Sequence, residues 1–223
     1  MASRLPRTKT VTVSVPTKKV GTELPVPTYS QMVHAGDFPQ WGGGGEAWCS
    51  PTSTSMVLGY YDKLPPPSTY RFVPAGHPAP WVDLAARRTY DTDYEGTGNW
   101  PFNTAYAARL AGDAFVTRLR SLREAERLVA AGIPVVASVS WGAGELTGAP
   151  VSSSNGHLLV IIGFTASGDP VVNDPAAKTA GGVRRVYDRA QFENAWLPTS
   201  GGTVYLIHDA AHPLPAAPAQ ANW

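Results

Sequence analysis

The single cysteine of the chain, Cys49, is the first candidate for catalytic chemistry. It precedes Ser50 and Pro51, which favour the N-cap and the first turn of a helix, and Thr52–Tyr61 is predicted to continue that helix. The unpaired N–H groups and the dipole at a helix N-terminus stabilise a thiolate, the reactive form of cysteine. Cys49 is therefore a candidate nucleophile, and the alternative is an inert thiol packed as a small apolar group.

A histidine could serve this thiol as a general base. His157 opens the apolar run Leu158–Phe164, so a rigid strand would hold its imidazole at the mouth of a cleft. The alternative is a histidine at a strand end that is bonded only to water. The remaining histidines lie in polar, proline-flanked or terminal contexts: His34, His77, His208 and His212.

An aspartate could orient that imidazole. Asp174 follows the next apolar run and precedes Pro175, so its simplest role is to form a turn. A hairpin with a four-residue loop at Phe164–Ser167 would place Asp174 opposite His157 on the same face of the sheet. A two-residue turn would instead place it opposite Ile161, about 13 Å too far along the strand.

The composition predicts one globular domain and excludes several functional classes. The chain has 223 residues, of which 43% are hydrophobic, and a formal net charge of +1. One core of good size is expected, and neither nucleic acid nor an anionic membrane surface is an implied partner. The longest apolar runs, such as Ile133–Val139, are too short to span a bilayer. Met1–Arg7 lacks the apolar run of a secretory signal.

The periodicity of the apolar residues, and the glycines and prolines that interrupt it, predict an α+β fold in which most helices precede the strands. The predicted helices after the first are Val82–Thr89, Asn103–Leu110, Ser121–Ala131 and Asp188–Trp196. The predicted strands are Pro134–Val139, His157–Phe164, Pro170–Asn173, Val183–Tyr187 and Thr203–His208. Residues 1–24 are interpreted as an N-terminal arm or linker with one strand at Thr10–Val15, residues 25–210 as the folded domain, and residues 211–223 as a disordered tail.

Several motifs recur in a family with this chemistry. They are Val-Pro-x-x-Ser-Gln at 26–31, Glu-Ala-Trp-Cys-Ser-Pro-Thr-Ser at 46–53, Asn-Gly-His-Leu-Leu-Val at 155–160 and Val-Asn-Asp-Pro at 172–175. Together they resemble the bacteriocin-processing, double-glycine leader peptidases, and most closely their stand-alone bacterial branch. The resemblance implies a papain-like fold and covers residues 25 to 207.

The resemblance also implies a role for each candidate residue. Cys49 would be the nucleophile, His157 the base and Asp174 the orienting group, while Gln31 would donate a hydrogen bond to the oxyanion. In this sequence the insertion Met32–Trp48 separates the glutamine from the cysteine, so Gln40 is an alternative oxyanion donor.

The expected function is therefore hydrolysis of peptide bonds by a cysteine peptidase through a thioacyl-enzyme intermediate. An amidase, a peptidoglycan-directed hydrolase or a transpeptidase could use the same residues, and a peptide-binding module without turnover is a further alternative. No cofactor or metal is expected, because the sequence has neither a His-Glu-x-x-His motif nor paired cysteines. We expect a peptide or protein substrate, a monomer and an extracellular or cell-surface location, with a cytoplasmic one left open.

Overall fold

An antiparallel sheet of six strands forms the centre of the molecule in the computed structural model, which describes residues 10–223. The strands lie in the order β1-β6-β2-β3-β4-β5. Their bounds are β1 Asp113–Arg118, β2 Val135–Trp141, β3 Ser154–Phe164, β4 Pro170–Asn173, β5 Arg184–Val186 and β6 Thr203–His208. The α-helices are α1 Cys49–Tyr60, α2 Pro80–Thr89, α3 Trp100–Ala111, α4 Leu122–Ala130 and α5 Arg189–Ser200.

The helices form two groups against this sheet. Helices α1, α2 and α3 contact one another, and α1 packs on β3 while α3 packs on β1 and β6. Helices α4 and α5 contact β2, which is buried along its whole length. A strand is buried in this way only when both faces of the sheet are covered. The structure thus confirms the predicted α+β architecture, in which the nucleophile helix packs directly on the strand of the candidate base.

Helix α1 is buried on nearly all sides, and small hydroxyl residues let it approach the sheet closely. The Ser53 hydroxyl donates to the Leu158 carbonyl on β3 (3.0 Å), and the Tyr61 hydroxyl donates to the Ile207 carbonyl on β6 (3.0 Å). These bonds satisfy polar groups that would otherwise be costly to bury. They also fix the position of α1 along the sheet.

The start of α1 differs from the prediction. The helix begins at Cys49, so Trp48 and not Ser50 occupies the N-cap position, and the Thr52 N–H bonds to the Trp48 carbonyl at 3.1 Å. Ser50 already has helical geometry, and its hydroxyl pairs with the Tyr205 hydroxyl at 2.8 Å instead of capping the helix. Cys49 therefore lies within the first turn itself, rather than just before it.

One predicted strand is absent from the structure, and one observed strand was not predicted. Thr10–Val15 forms no strand, because its N–H groups bond to side chains of α5: Val11 to Asn194 (3.2 Å) and Ser14 to Glu193 (2.7 Å). Conversely, β1 was not predicted, since Asp113–Arg118 is a half-exposed edge strand with weak apolar alternation. It pairs only with β6.

Residues 211–223 have no helix or strand, yet they lie against the domain. The Thr117 hydroxyl donates to the Asn222 carbonyl, and the Asn222 amide donates to the Arg118 carbonyl, both at 2.7 Å. The proposed domain boundaries, and the disorder expected for this segment, stay predictions.

Candidate active site

Cys49 lies at the positive end of α1 and is nearly buried, with 9% of its surface exposed. As the first helical residue, it has a backbone N–H without an intrahelical acceptor. The thiol therefore adjoins both the helix dipole and a free hydrogen-bond donor, which together favour negative charge at this point.

His157 lies on β3, opposite Val139 of β2, and its side chain is almost fully buried. Its Nε2 atom lies 2.7 Å from Oδ1 of Asp174, and the Cys49 side chain is close enough to be one of the causes that raise the pKa of His157. Because Nε2 faces Asp174, Nδ1 is the nitrogen left for the thiol. The Trp141 ring meets the imidazole edge-on, with the ring centroids 5.6 Å apart.

Asp174 is fully buried, and each of its oxygens accepts a hydrogen bond. Oδ1 accepts from His157 Nε2 and from the Ala176 N–H (3.0 Å), and Oδ2 accepts from the Tyr187 hydroxyl (2.7 Å). Three donors around one carboxylate stabilise its charged form.

The route by which Asp174 reaches His157 differs from the predicted register. Phe164 pairs with Pro170 and Val160 with Asn173, with a bulge between them, so the predicted four-residue loop is wrong. Asp174 follows Asn173 and therefore lies beyond the last pair, diagonal to His157 rather than directly opposite. A diagonal neighbour on the same face is still within reach of long side chains. The contact between His157 and Asp174 therefore forms, although the predicted register of the two strands was wrong.

The electrostatics of this pair favour the charged forms of both residues. Burial alone would lower the pKa of His157, but the charge and hydrogen bond of Asp174, with a smaller contribution from Cys49, raise it above its ordinary value. Burial alone would raise the pKa of Asp174, but His157, Tyr187 and the Ala176 N–H lower it. An imidazolium held by a carboxylate can in turn stabilise a thiolate at Cys49.

Gln31 lies in a short 3-10 helix, Gln31–His34, and is buried. Its N–H donates to the Pro175 carbonyl at 2.9 Å, which ties it to the turn that carries Asp174. Within residues 10–223 its side chain forms no hydrogen bond, so its amide is not committed to another protein atom. Gln40 lies on the exposed side of the 3-10 helix Pro39–Trp41.

Three residues next to this group are not among the predicted catalytic residues. Tyr187 bonds to Asp174, Trp141 packs on His157, and Tyr94 is close enough to Cys49 for the cysteine to be one of the causes, after burial, that raise the tyrosine pKa. From the sequence, Trp141 is one of four tryptophans that could line a cleft or pack ordinarily. Nothing in the sequence marks the position of Tyr94, because it depends on tertiary packing.

A second His–Asp group shares no residue with this site. Ligand atoms of His34, Asp37, His77 and Asp83 all lie within 4.8 Å of one another. These four residues belong to no short motif, so the sequence analysis did not connect them.

The α+β fold, with a helix that begins at Cys49 and packs on the strand of His157, is a papain-like cysteine peptidase fold. The profile of the Peptidase_C39 like family matches residues 23–204, and the chain belongs to this family.

Two solved structures are similar to the chain. One is described as a C39-like peptidase from Bacillus anthracis (19% identity, TM-score 0.51, covering 82% of this chain and 94% of that one). The other is a double-glycine motif protease from an AMS/PCAT transporter in complex with the leader peptide (18% identity, TM-score 0.47, covering 82% and 91%). A comparison with curated proteins finds no significant match. Among residues 10–223, no helix is long and apolar enough to cross a membrane.

Proposed function

We propose that the protein hydrolyses peptide bonds with Cys49 as nucleophile and His157 as acid and base. The observation that carries this proposal is the contiguous contact from Cys49 to His157 to Asp174, at the N-terminus of a buried helix. Membership of a peptidase family supports a peptide as substrate.

The first half of the reaction is acylation. The Cys49 thiolate attacks the carbonyl carbon, and a C–S bond forms as the carbonyl oxygen gains charge. The Cys49 N–H and the Gln31 side-chain amide are the proposed donors to this oxyanion. The C–N bond then breaks, and the His157 imidazolium gives its proton to the leaving amine.

The second half is deacylation. His157 removes a proton from water, the hydroxide attacks the thioester, and the C–S bond breaks to release a carboxylic acid and regenerate the thiolate. Asp174 does not exchange a proton in this scheme. Its role is to hold the imidazole so that one nitrogen faces Cys49.

The test uses a pool of peptides, with products identified by mass spectrometry in water enriched in ¹⁸O. Hydrolysis puts one ¹⁸O atom into each new carboxylate, whereas a transpeptidase joins the acyl group to an added amine. We expect cleavage by the wild-type protein and none by Cys49→Ala. A folded Cys49→Ala protein that still cleaves the pool would refute the proposed nucleophile.

A second route to the same answer exploits the single thiol. Because Cys49 is the only cysteine, iodoacetamide modifies one sulfur, and mass spectrometry reports the occupancy directly. We expect loss of cleavage in proportion to alkylation. Peptides that bind without being cleaved would indicate a binding module, and cleavage confined to cell-wall fragments would indicate the peptidoglycan-directed alternative.

A further inference from the structure

The second His–Asp group has the geometry of a metal site. The Nε2 atom of His77 lies 2.7 Å from Asp37 Oδ2, 3.3 Å from His34 Nδ1 and 3.7 Å from Asp83 Oδ1. The Nδ1 atom of His34 lies 3.3 Å from Asp83 Oδ2 and 3.5 Å from Asp37 Oδ2. Two imidazole nitrogens and two carboxylates thus converge on one point.

These separations match those around a tetrahedral ion. With metal–nitrogen and metal–oxygen bonds of about 2.0–2.2 Å, neighbouring ligand atoms in a tetrahedron lie about 3.3–3.6 Å apart. The five observed separations, from 2.7 to 3.7 Å, scatter around that range. The two facing ring nitrogens carry at most two hydrogens, so hydrogen bonds alone do not account for all five separations.

The hydrogen bonding of Asp83 supplies independent evidence for a cation. Its side chain is completely buried, yet neither carboxylate oxygen accepts a hydrogen bond from any described residue. Oδ2 of Asp37 is likewise buried without a hydrogen bond from any described residue, although the Asp37 side chain as a whole is 25% exposed. A fully buried carboxylate without a hydrogen-bond donor is costly, and a bound divalent cation would balance the charges of both aspartates.

The surroundings hold the ligands in place. His34 ends the 3-10 helix that begins at Gln31, and its ring packs on buried Trp48 with the centroids 5.7 Å apart. Asp83 lies in the first turn of α2. Gly44 has φ +63°, and a Cβ atom at this position would collide with the His34 carbonyl.

We propose that His34, Asp37, His77 and Asp83 bind one divalent ion of the zinc class. Two imidazoles with two carboxylates suit zinc or a similar transition ion, whereas calcium and magnesium prefer oxygen ligands alone. His34 and Asp37 belong to the insertion 32–48, whose regular structure is limited to short 3-10 helices. The ion fastens this insertion to α2, and this role does not depend on the proposed function.

The test measures the zinc content of the full-length chain with the Cys49→Ala substitution. This substitution removes the free thiol, which could bind zinc outside the proposed site. After incubation with zinc and removal of the excess, we expect one zinc per chain by elemental analysis. The variants Asp83→Asn and His77→Gln should each lose it. His212→Gln is the matched control, because His212 pairs with a single aspartate, Asp209, at 2.7 Å and should leave the zinc content unchanged.

Cobalt provides a readout that does not depend on folding of the variants. Cobalt(II) added to the zinc-free Cys49→Ala chain should give the strong visible absorption of a four-coordinate ion, and zinc should displace it. Zinc should raise the thermal midpoint, whereas calcium should not. A folded parent chain that takes up no zinc, or variants that bind as much as the parent, would overturn the proposal.

Discussion

The His157–Asp174 pair and the His–Asp cluster around Asp83 have similar residues but different hydrogen bonding. Around Asp174, both carboxylate oxygens accept hydrogen bonds from protein donors, and the histidine beside it is held as an imidazolium. Around Asp83, no described residue donates to either oxygen. Protein donors thus satisfy the carboxylate of the first group, whereas in the second group the proposed cation would take the place of the missing donors.

The two groups also differ in how the chain assembles them. His157 lies on β3 and Asp174 directly follows β4, and one hairpin joins these two strands, so local pairing brings the two residues together. The other group combines the insertion before α1, the loop before α2 and α2 itself. It therefore depends on packing between segments that have little regular structure. We expect substitutions in the first group to affect chemistry, and those in the second to affect stability.

The largest expected effect is a loss of activity, which a substitution in the His157–Asp174 pair should cause without any loss of zinc. His157→Ala removes the proposed acid and base, whose contribution is typically about 10²–10⁴-fold in rate. The zinc content should not change. Steady-state cleavage of one peptide and elemental analysis of the same preparation provide the measurement. His212→Gln serves as the control, and a His157→Ala protein with near wild-type turnover would remove His157 from the mechanism.

The next effect is on thermal stability, which zinc bound at the cluster around Asp83 should increase. If zinc is present at roughly a thousand times its dissociation constant, it stabilises the native state by about 4 kcal/mol. For a domain of this size each kcal/mol shifts the thermal midpoint by about 2–4 °C. A chelator should therefore lower the midpoint of the wild-type chain by roughly 10 °C and leave that of Asp83→Asn unchanged. Equal shifts in both proteins would argue against the site.

The sequence predicts best those features of the fold and of the candidate site that depend on residues close together in the chain. The helix at Cys49 and the strand at His157 follow from capping residues and apolar runs, which act within a few residues. The capping pattern at Asp188 likewise marks the start of α5, where its side chain accepts from the Gln191 N–H. These elements were predicted with small errors at their ends, because neighbouring packing decides where a helix begins.

The errors arise where tertiary contacts override local signals. The β3–β4 register was missed because the hairpin loop is longer than predicted, so that Gly163 pairs with Val171. A bulge between Ile161 and Gly163 then shifts the pairing by one residue, and no residue pattern marks it. Gly163 has no side chain, and the backbone at Glu23 approaches it closely as an isolated bridge partner. The His34 and Asp83 group was missed for a related reason, since its members are far apart in sequence and have no common spacing.

A smaller effect is expected at Asp174, and it distinguishes orientation from proton transfer. Asp174→Asn keeps an oxygen that can accept from His157, so measurable turnover should remain. Asp174→Ala removes a hydrogen bond to a charged group, worth about 1.5–3 kcal/mol, and turnover should fall roughly 10–100-fold. Steady-state kinetics of both variants, after each is shown to be folded, provide the test. If Asp174→Ala matched the wild type, Asp174 would be only a turn former before Pro175.

The same pair should contribute to stability over a limited pH range. The raised pKa of His157 gives stability that is present below its unfolded value, near 6.5, and is lost as the pH rises through the folded pKa. The lowered pKa of Asp174 gives stability that is present above about 3.9 and is lost as the pH falls through the folded value. Denaturant unfolding of wild type and Asp174→Asn should therefore differ most between about pH 4 and 6.5. A difference that grew with alkalinity would contradict the imidazolium assignment.

The smallest expected effect concerns Tyr187, which donates one of three hydrogen bonds to Asp174. In Tyr187→Phe the carboxylate keeps His157 and the Ala176 N–H as donors to Oδ1, while Oδ2 loses its partner. The pKa of Asp174 should rise, so the acid limb of the stability profile should move to higher pH. Turnover should fall by less than in Asp174→Ala, because the imidazole is still held through Oδ1.

The matched control for Tyr187→Phe is Tyr61→Phe, which removes a buried hydroxyl that donates to a neutral carbonyl, that of Ile207. Each variant loses one hydrogen bond, so each should lose about 0.5–1.5 kcal/mol or somewhat more where the acceptor is charged. Only Tyr187→Phe should shift the acid limb, since only its acceptor titrates in that range. The measurement is the free energy of unfolding from pH 3 to 7 for both variants. If the two profiles stayed parallel, Tyr187 would contribute packing alone, and the charge of Asp174 would be maintained by His157 and the Ala176 N–H without it.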